Sequence, residues 1–244
     1  MRMIRLYVDL PLVPDSDATL PAAAAEHATR VLRLRTGDAL ALFNGDGHDY
    51  PSHLRGVSRA GVSVRIAACT APAAPESPLA ITLAQGIARG DKMDWILQKA
   101  TELGVARIVP LITARTEVRL DAGRSEKRMA HWRGVIAAAC EQCGLARLPK
   151  LAAPRALADW TTNADAIDGL RLRLDPDAAG GPRELPAFAA ACLVIGPEGG
   201  LASADTALLQ AAGFAGLRLG PRVLRTETAG LAALASLQAL HGDF

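Results

Sequence analysis

The sequence predicts an α/β protein in which a small, mostly β domain precedes a larger domain built on a parallel sheet. Residues 1–70 contain short apolar runs separated by Gly and Asn-Gly turns, a pattern typical of strands. From residue 79 onward, strand-like and helix-like segments alternate, as they do in parallel sheets covered by helices. Between the two regions, three prolines recur every third residue, so residues 71–78 are predicted to be an extended linker.

In the front domain, the turn Asn44-Gly45-Asp46-Gly47 indicates a hairpin between two strands. The alanine-rich segment 22–34 indicates a helix. The remaining strand patterns lie at residues 2–8, 38–43, 48–57 and 61–68. A small barrel with one helix suits a domain of about 70 residues.

In the rear domain, the clearest helix is predicted at residues 91–103, with Asp91 as its N-cap and Gly104 as its stop. Its apolar residues recur on one stripe, which predicts a buried face. The other helices are predicted at 125–144, 203–213 and 227–240, and the strands at 79–85, 107–112, 169–174, 191–196 and 215–219.

Composition excludes several classes of protein. The net charge of +2 does not indicate a general nucleic-acid binder, and the aromatic content of 4% argues against a base-stacking platform. Of 27 basic residues 23 are arginines, the side chain best shaped to contact phosphate. No apolar run is long enough for a bilayer and the N-terminus lacks a signal-peptide pattern, so we expect a cytoplasmic protein without membrane contact.

No His or Cys spacing is typical of a metal site. Cys140-x-x-Cys143 could be half of one, but it lies on an apolar helix stripe that favours core packing.

Two glycine-bearing turns are the candidate ligand sites. Residues 195–200 (IGPEGG) follow an apolar strand and precede a helix, and residues 219–229 (LGPRVLRTETA) do the same at the end of the chain. Glycine turns of this kind expose backbone N–H groups to a ligand, and two of them after neighbouring strands would line one crevice. Neither has the spacing of a dinucleotide fingerprint or a Walker loop. A tight turn without a ligand remains the alternative for each.

Clusters of arginine are the candidate nucleic-acid contacts. Residues 115–133 hold six basic and three acidic side chains, a balance of +3, and a second cluster comprises Arg30, Arg33 and Arg35. Both could meet phosphate, although a charge-mixed, solvated helix face is the more common explanation for the first cluster.

Taken together, these motifs resemble those of the RsmE family of bacterial ribosomal RNA methyltransferases, within the SPOUT superfamily. The glycine turn 195–201 is shared by other SPOUT enzymes, whereas its combination with residues 219–229 is typical of RsmE. The resemblance runs nearly end to end, through Arg2-x-x-Arg5, His27-x-x-Arg30-Val31-Leu32-Arg33, Asp91-Lys92-Met93-Asp94, Lys99-x-x-Glu102-Leu103-Gly104, Arg115-x-x-Val118 and Glu141-Gln142-Cys143-Gly144. Leu145 stands where the family often has Arg, and Asp205 where it often has Glu.

The resemblance implies a PUA-like, RNA-binding β-barrel at residues 1–70 and a SPOUT catalytic domain at residues 79–244 with a C-terminal trefoil knot. It further implies a homodimer that uses S-adenosylmethionine to methylate N3 of a specific uridine in 16S ribosomal RNA of the small subunit. The strand and helix pattern alone predicts no knot.

The resemblance also implies roles for individual residues. Within the two glycine-bearing turns, Arg225 is expected to stabilise the uracil anion, because it lies in the second turn. Glu227 and Glu198 are the candidate acceptors of the uracil proton by their position in the sequence; either could instead hold loop backbone, a role that is favoured for Glu198. S-adenosylmethionine is expected to contact Leu172, Leu174, Ile195, Gly196, Pro197, Glu198, Gly199, Gly200, Leu219, Gly220, Val223, Leu224, Arg225, Thr226 and Thr228. RNA is expected to contact Arg2, Arg5, Arg30, Arg33, Arg115 and Arg119.

Two other functions fit the same motifs. A SPOUT enzyme could methylate a ribose 2′-hydroxyl or another base, and a non-catalytic RNA-binding assembly factor could retain the fold. The intact glycine turns favour a protein that still binds its cofactor.

Overall fold

The computed structural model describes residues 3–59, 61–118, 122–162 and 169–244, with the side chains of 122–124 left aside. The chain forms two compact units. The first unit comprises Met1–Glu76 together with Ala137–Leu148, and the second comprises Ser77–Ile136 and Pro149–Phe244. The short segment Ala137–Leu148 therefore belongs to the first unit although it lies, by sequence, within the predicted rear domain. A single linker at residues 71–78 cannot separate the two units, because the chain returns to the first unit at Ala137–Leu148.

The first unit is a five-stranded sheet with a short helix. Its strand order is β1-β3-β4-β5-β2, in which β1 and β3 are parallel and the other neighbours antiparallel. The helix α1 (Ala22–Glu26) continues into a π-helical turn, His27–Val31. The strands are β1 (Arg5–Tyr7), β2 (Ser16–Thr19), β3 (Ala39–Phe43), β4 (Tyr50–Ser58) and β5 (Gly61–Ile66).

In the first unit, the sequence predicts the strands that contribute fully buried residues to the core but not the strand that contributes none. Alternating positions of β5, namely Val62, Val64 and Ile66, are buried, as the apolar alternation predicts. Strand β2 has the sequence SDAT, none of whose residues is fully buried, so no apolar period indicates it. It forms instead because its backbone pairs with β5.

The second unit is built on an entirely parallel sheet. Its order is β12-β10-β11-β6-β7-β8, and β9 also pairs with β7. The predicted parallel sheet is confirmed. The strands are β6 (Ala80–Gly86), β7 (Arg107–Ile112), β8 (Lys150–Leu151), β9 (Arg155–Ala156), β10 (Leu170–Leu174), β11 (Ala190–Ile195) and β12 (Ala215–Leu217).

The helices of the sheet domain follow their strands closely. In α2 (Lys92–Glu102), the stripe residues Met93, Ile96, Leu97 and Ala100 are buried. Asp91 occupies the N-cap position, but its side chain makes no capping hydrogen bond. The remaining helices are α3 (Ala122–Cys143), α4 (Leu157–Thr161), α5 (Ser203–Ala211), α6 (Thr226–His241) and a 3₁₀ turn at Pro182–Glu184.

Strand order determines where a ligand can bind. Strands β12, β10 and β11 are neighbours, so the loops that follow them gather at one edge of the sheet. Within the described residues, no helix is long and apolar enough to cross a membrane.

Candidate active site

A cleft of about 680 Å³ lies at the carboxyl ends of β10, β11 and β12. Its walls are the three loops that follow these strands, together with the first turns of α5 and α6. The volume falls within the roughly 300–1,000 Å³ typical of small-molecule sites. The two glycine turns singled out in the sequence therefore line one crevice.

Most of the residues expected to contact a cofactor line this cleft. They are Leu174, Ile195, Gly196, Pro197, Glu198, Gly199, Gly200, Leu219, Gly220, Val223, Leu224, Arg225 and Thr226. Leu172 is not among the lining residues, because it lies within the sheet, two residues before the strand end, and is 1% exposed. Thr228 and Glu227 lie in the first turn of α6 and do not line the cleft either.

The loop that follows β10 supplies residues that the sequence analysis missed. Asp175 and Asp177 line the cleft, as does the nearly buried Arg173. Arg173 Nη1 donates a hydrogen bond to the Asp175 carboxylate, which lowers the pKa of Asp175. The buried Nε of Arg173 has no hydrogen-bond partner in the described chain. An Asp-Pro-Asp turn after an apolar strand was the available signal, but its relevance depends on where β10 lies in the sheet.

The loop after β11 is shaped by close backbone contacts. A Cβ atom added to Gly196 would lie 2.7 Å from the carbonyl carbon of Gly200 and 2.8 Å from the amide nitrogen of Leu201. Gly200 has a φ of +70°, a conformation that L side chains rarely adopt. Arg115 Nη1 donates to the Gly199 carbonyl at 2.7 Å. The glycines therefore fold this loop tightly while leaving backbone groups open to the cleft.

A buried hydrogen-bond chain joins β6, the loop after β11 and helix α6. Gln85 Nε2 donates to Thr226 Oγ1 at 2.9 Å, and Thr226 Oγ1 donates to the Gly196 carbonyl at 2.6 Å. Gln85 is 0% exposed. No local pattern in the sequence indicates its role, since a lone Gln near a strand end has no signature.

The carboxylates of Glu198 and Glu227 both lie near Lys92, the first residue of α2. Glu198 Oε1 accepts the Arg89 N–H at 3.0 Å and lies 3.3 Å from Lys92 Nζ. Lys92 Nζ is also 3.8 Å from Glu227 Oε2. Burial alone would raise the pKa of Glu198, but the hydrogen bonds from the Arg89 backbone and Lys92 outweigh it and lower this pKa. Glu198 thus holds loop backbone, as expected.

The structure corrects one expected RNA contact. The Arg5 side chain is 3% exposed, and it donates to Asp49 at 2.6 and 3.2 Å and to the Cys140 carbonyl at 2.6 Å. It also donates to the Leu145 carbonyl at 3.0 Å. With its donors engaged inside the first unit, Arg5 is a structural residue and is not available to phosphate.

The other expected RNA contacts are distributed over both units. Arg30 and Arg33 are exposed in the first unit, where Arg30 pairs with Glu26 at 2.6 Å. Arg115 is exposed in the second unit, against the Gly199 loop. Arg2 and Arg119 lie outside the described residues. Among the residues that the structure does describe, no three His, Cys, Asp or Glu side chains are grouped to hold a metal ion.

Comparison with known families and proteins matches both halves of the chain. Residues 75–238 match the model of an RNA methyltransferase domain, and residues 20–67 match that of an RNA methyltransferase PUA domain. A ribosomal RNA small subunit methyltransferase E of Buchnera aphidicola is 30% identical, over 99% of this chain and 98% of its own length.

Two solved structures agree with the described fold. A Legionella pneumophila protein in complex with S-adenosylmethionine superposes with a TM-score of 0.95 at 41% identity, covering 100% of each chain. A ribosomal RNA small subunit methyltransferase E from Neisseria gonorrhoeae bound to S-adenosylmethionine superposes with a TM-score of 0.90 at 34% identity, again covering 100% of both chains.

Proposed function

Because the chain belongs to the ribosomal RNA small subunit methyltransferase E family, we propose that it methylates N3 of a specific uridine in 16S ribosomal RNA, with S-adenosylmethionine as methyl donor. The observation that supports this most is the cleft at the ends of β10, β11 and β12, in a fold that matches S-adenosylmethionine complexes over the whole chain. The donor supplies a methyl group on a positively charged sulfonium.

The cleft suits such a ligand. Its bare backbone at Gly196–Gly200 and at Gly220 can approach an adenosine closely, and the cleft volume of about 680 Å³ is sufficient for a cofactor. The carboxylates of Asp175 and Asp177 line the same cleft and complement a cationic or hydroxyl-bearing ligand. Leu174, Leu219 and Leu224 provide apolar walls.

Arg225 and Glu227 are proposed to act on the uracil. The imide N3 of uracil is protonated near neutral pH, so the enzyme must favour loss of this proton before methyl transfer. Arg225 lines the cleft, where its guanidinium would stabilise the anion that forms on a uracil oxygen. Glu227, two residues further on, is the second residue of α6 and is proposed to accept the proton, directly or through water.

RNA is proposed to bind through both units. The target base must be unpaired or flipped to reach the cleft. Exposed Arg30 and Arg33 of the PUA-like unit and Arg115 near the cleft are the proposed phosphate contacts. Because the net charge is only +2, we expect recognition of a shaped ribosomal surface more than of RNA charge in general.

The setting of this activity is also a proposal. The protein would work in the cytoplasm on the small ribosomal subunit, as a homodimer whose sheet domain contains a C-terminal trefoil knot, without a metal or a membrane. Size measurement in solution tests the dimer.

Methylation of purified small subunits that lack the modification tests the function. We expect 3-methyluridine in the digested 16S RNA, and far faster methylation of subunits than of naked RNA. A 2′-O-methylated or other nucleoside would assign the enzyme to a different RNA position. Absence of S-adenosylmethionine binding in calorimetry would instead indicate a non-catalytic assembly factor.

A further inference from the structure

Lys92 lies between the two carboxylates that come from different walls of the cleft. It is the first residue of α2, directly after the loop that follows β6. Its ammonium nitrogen is 3.3 Å from Glu198 Oε1 and 3.8 Å from Glu227 Oε2. Glu198 belongs to the loop after β11, whereas Glu227 follows the loop after β12. One cation therefore contacts the loop after β11 and the first turn of α6, which directly follows the loop after β12.

The two carboxylates depend on Lys92 to different degrees. Glu198 Oε1 also accepts the Arg89 backbone N–H, so it keeps a donor if the ammonium is removed. Glu227 Oε2 is buried and has no hydrogen-bond partner in the described chain. A buried carboxylate oxygen without a partner is costly, and a nearby cation offsets that cost. Glu227 should therefore be the more sensitive of the two.

The surrounding charges do not replace this contact. Arg89 directs its guanidinium to Glu117, at 2.7 Å, and Arg115 donates to the Gly199 carbonyl. Arg225 is the N-cap residue of α6 and lines the cleft. Lys92 is thus the cation placed between the two glutamates.

We propose that Lys92 is a positioning residue, which ties the loop after β11 to the loop after β12 through Glu198 and, at the start of α6, Glu227, and which holds the Glu227 carboxylate in place as a proton acceptor. The second part rests on the proposed function, whereas the first part does not. Lys92 itself is not proposed to touch the cofactor or the uracil.

The experiment compares Lys92→Met with Lys92→Arg and with Lys99→Met. Lys99 is on the same helix and forms an ion pair with Glu102 at 2.8 Å, so its variant removes the same charge away from the cleft. Amide hydrogen exchange of the cofactor-free proteins reports on residues 196–200 and 219–228. Calorimetry gives the affinity for S-adenosylmethionine, and single-turnover methylation gives the rate of the chemical step.

In Lys92→Met, we expect exchange to rise in both loops together, and affinity for S-adenosylmethionine to fall about 3- to 10-fold. Loss of the Lys92 ammonium leaves the buried Glu227 Oε2 without its nearby cation, so the single-turnover methylation rate should fall as well. Lys92→Arg should restore all three properties, and Lys99→Met should leave them unchanged.

Exchange in Lys92→Met that matches Lys99→Met would overturn the tie between the loops. A single-turnover rate in Lys92→Met that matches the rate of Lys99→Met would overturn the role toward Glu227. If no variant or wild type methylates the subunit, the proposed function fails, while the exchange comparison still decides whether Lys92 joins the loops.

Discussion

The two cleft loops differ in how they are held. In the loop after β11, residues 196–202, the backbone is fixed by Thr226, Arg115 and Asp205 side chains, at 2.6, 2.7 and 2.9 Å. In the loop after β12, residues 218–225, backbone hydrogen bonds hold the two ends, at Arg218 and Arg225. Between those ends, Val223 is 82% exposed.

This difference suggests that the two loops have different roles. A loop whose backbone is already fixed loses little entropy when a ligand binds, so the loop after β11 is suited to hold the cofactor. The loop after β12 presents Arg222, Val223 and Arg225 to solvent and to the cleft, which suits side chains that must meet RNA. Substitutions in the first loop should therefore weaken cofactor binding, and those in the second should slow methyl transfer.

The largest expected effect is on the rate. Arg225→Ala should lower single-turnover methylation roughly 100- to 1,000-fold, the range for loss of a donor to a developing anion. Its affinity for S-adenosylmethionine should stay close to that of the wild type. Rapid-quench methylation with saturating cofactor, together with calorimetry, measures both quantities. An unchanged single-turnover rate would remove Arg225 from the mechanism.

The next effect is on cofactor affinity. Gly196→Ala should weaken binding of S-adenosylmethionine about 50-fold, because the new Cβ would meet the backbone of Gly200 and Leu201 within 2.8 Å. Gly220→Ala in the other loop is the matched control. Its φ is +84° but its Cβ would meet no protein atom within 4 Å, so within the protein backbone strain is the only cost and the loss of affinity should be smaller. Equal losses in the two variants would contradict the different roles of the two loops.

The features of the site that the sequence predicts are those that depend on neighbouring residues, and the features it misses depend on residues far apart in the chain. The two cleft loops were found because a glycine turn after an apolar strand is a local pattern. Gln85 and Asp175 were missed, since their place in the site follows from β6, β10 and β11 being neighbours in the sheet. Arg5 was misassigned for the same reason: its partner Asp49 lies 44 residues away, and nothing in the N-terminal sequence indicates burial.

A smaller effect should follow from loosening the better-held loop. Arg115→Ala removes the hydrogen bond to the Gly199 carbonyl. Because Arg115 is exposed, we expect only about a 3- to 5-fold loss of affinity for S-adenosylmethionine. Titration of Arg115→Ala and Arg115→Lys by calorimetry checks this. Arg115→Ala should also weaken binding to the small subunit, where an RNA contact is proposed, and an effect on RNA alone would mean that the loop does not need this anchor.

The smallest effect concerns stability and pH. The pKa of Glu198 is lowered in the folded chain, since hydrogen bonds from Arg89 and Lys92 outweigh burial. A carboxyl whose pKa is depressed by folding stabilises the protein above its unfolded pKa, and this contribution is lost as the pH falls through the folded value. The wild type should therefore exceed Glu198→Gln in unfolding free energy near pH 7, and the gap should shrink below about pH 4.3. Urea unfolding across this range measures the gap, with Glu184→Gln, an exposed carboxylate in the same unit, as the control for general charge effects. A gap that widens toward low pH would mean that the loop after β11 is not held by the ionised form of Glu198.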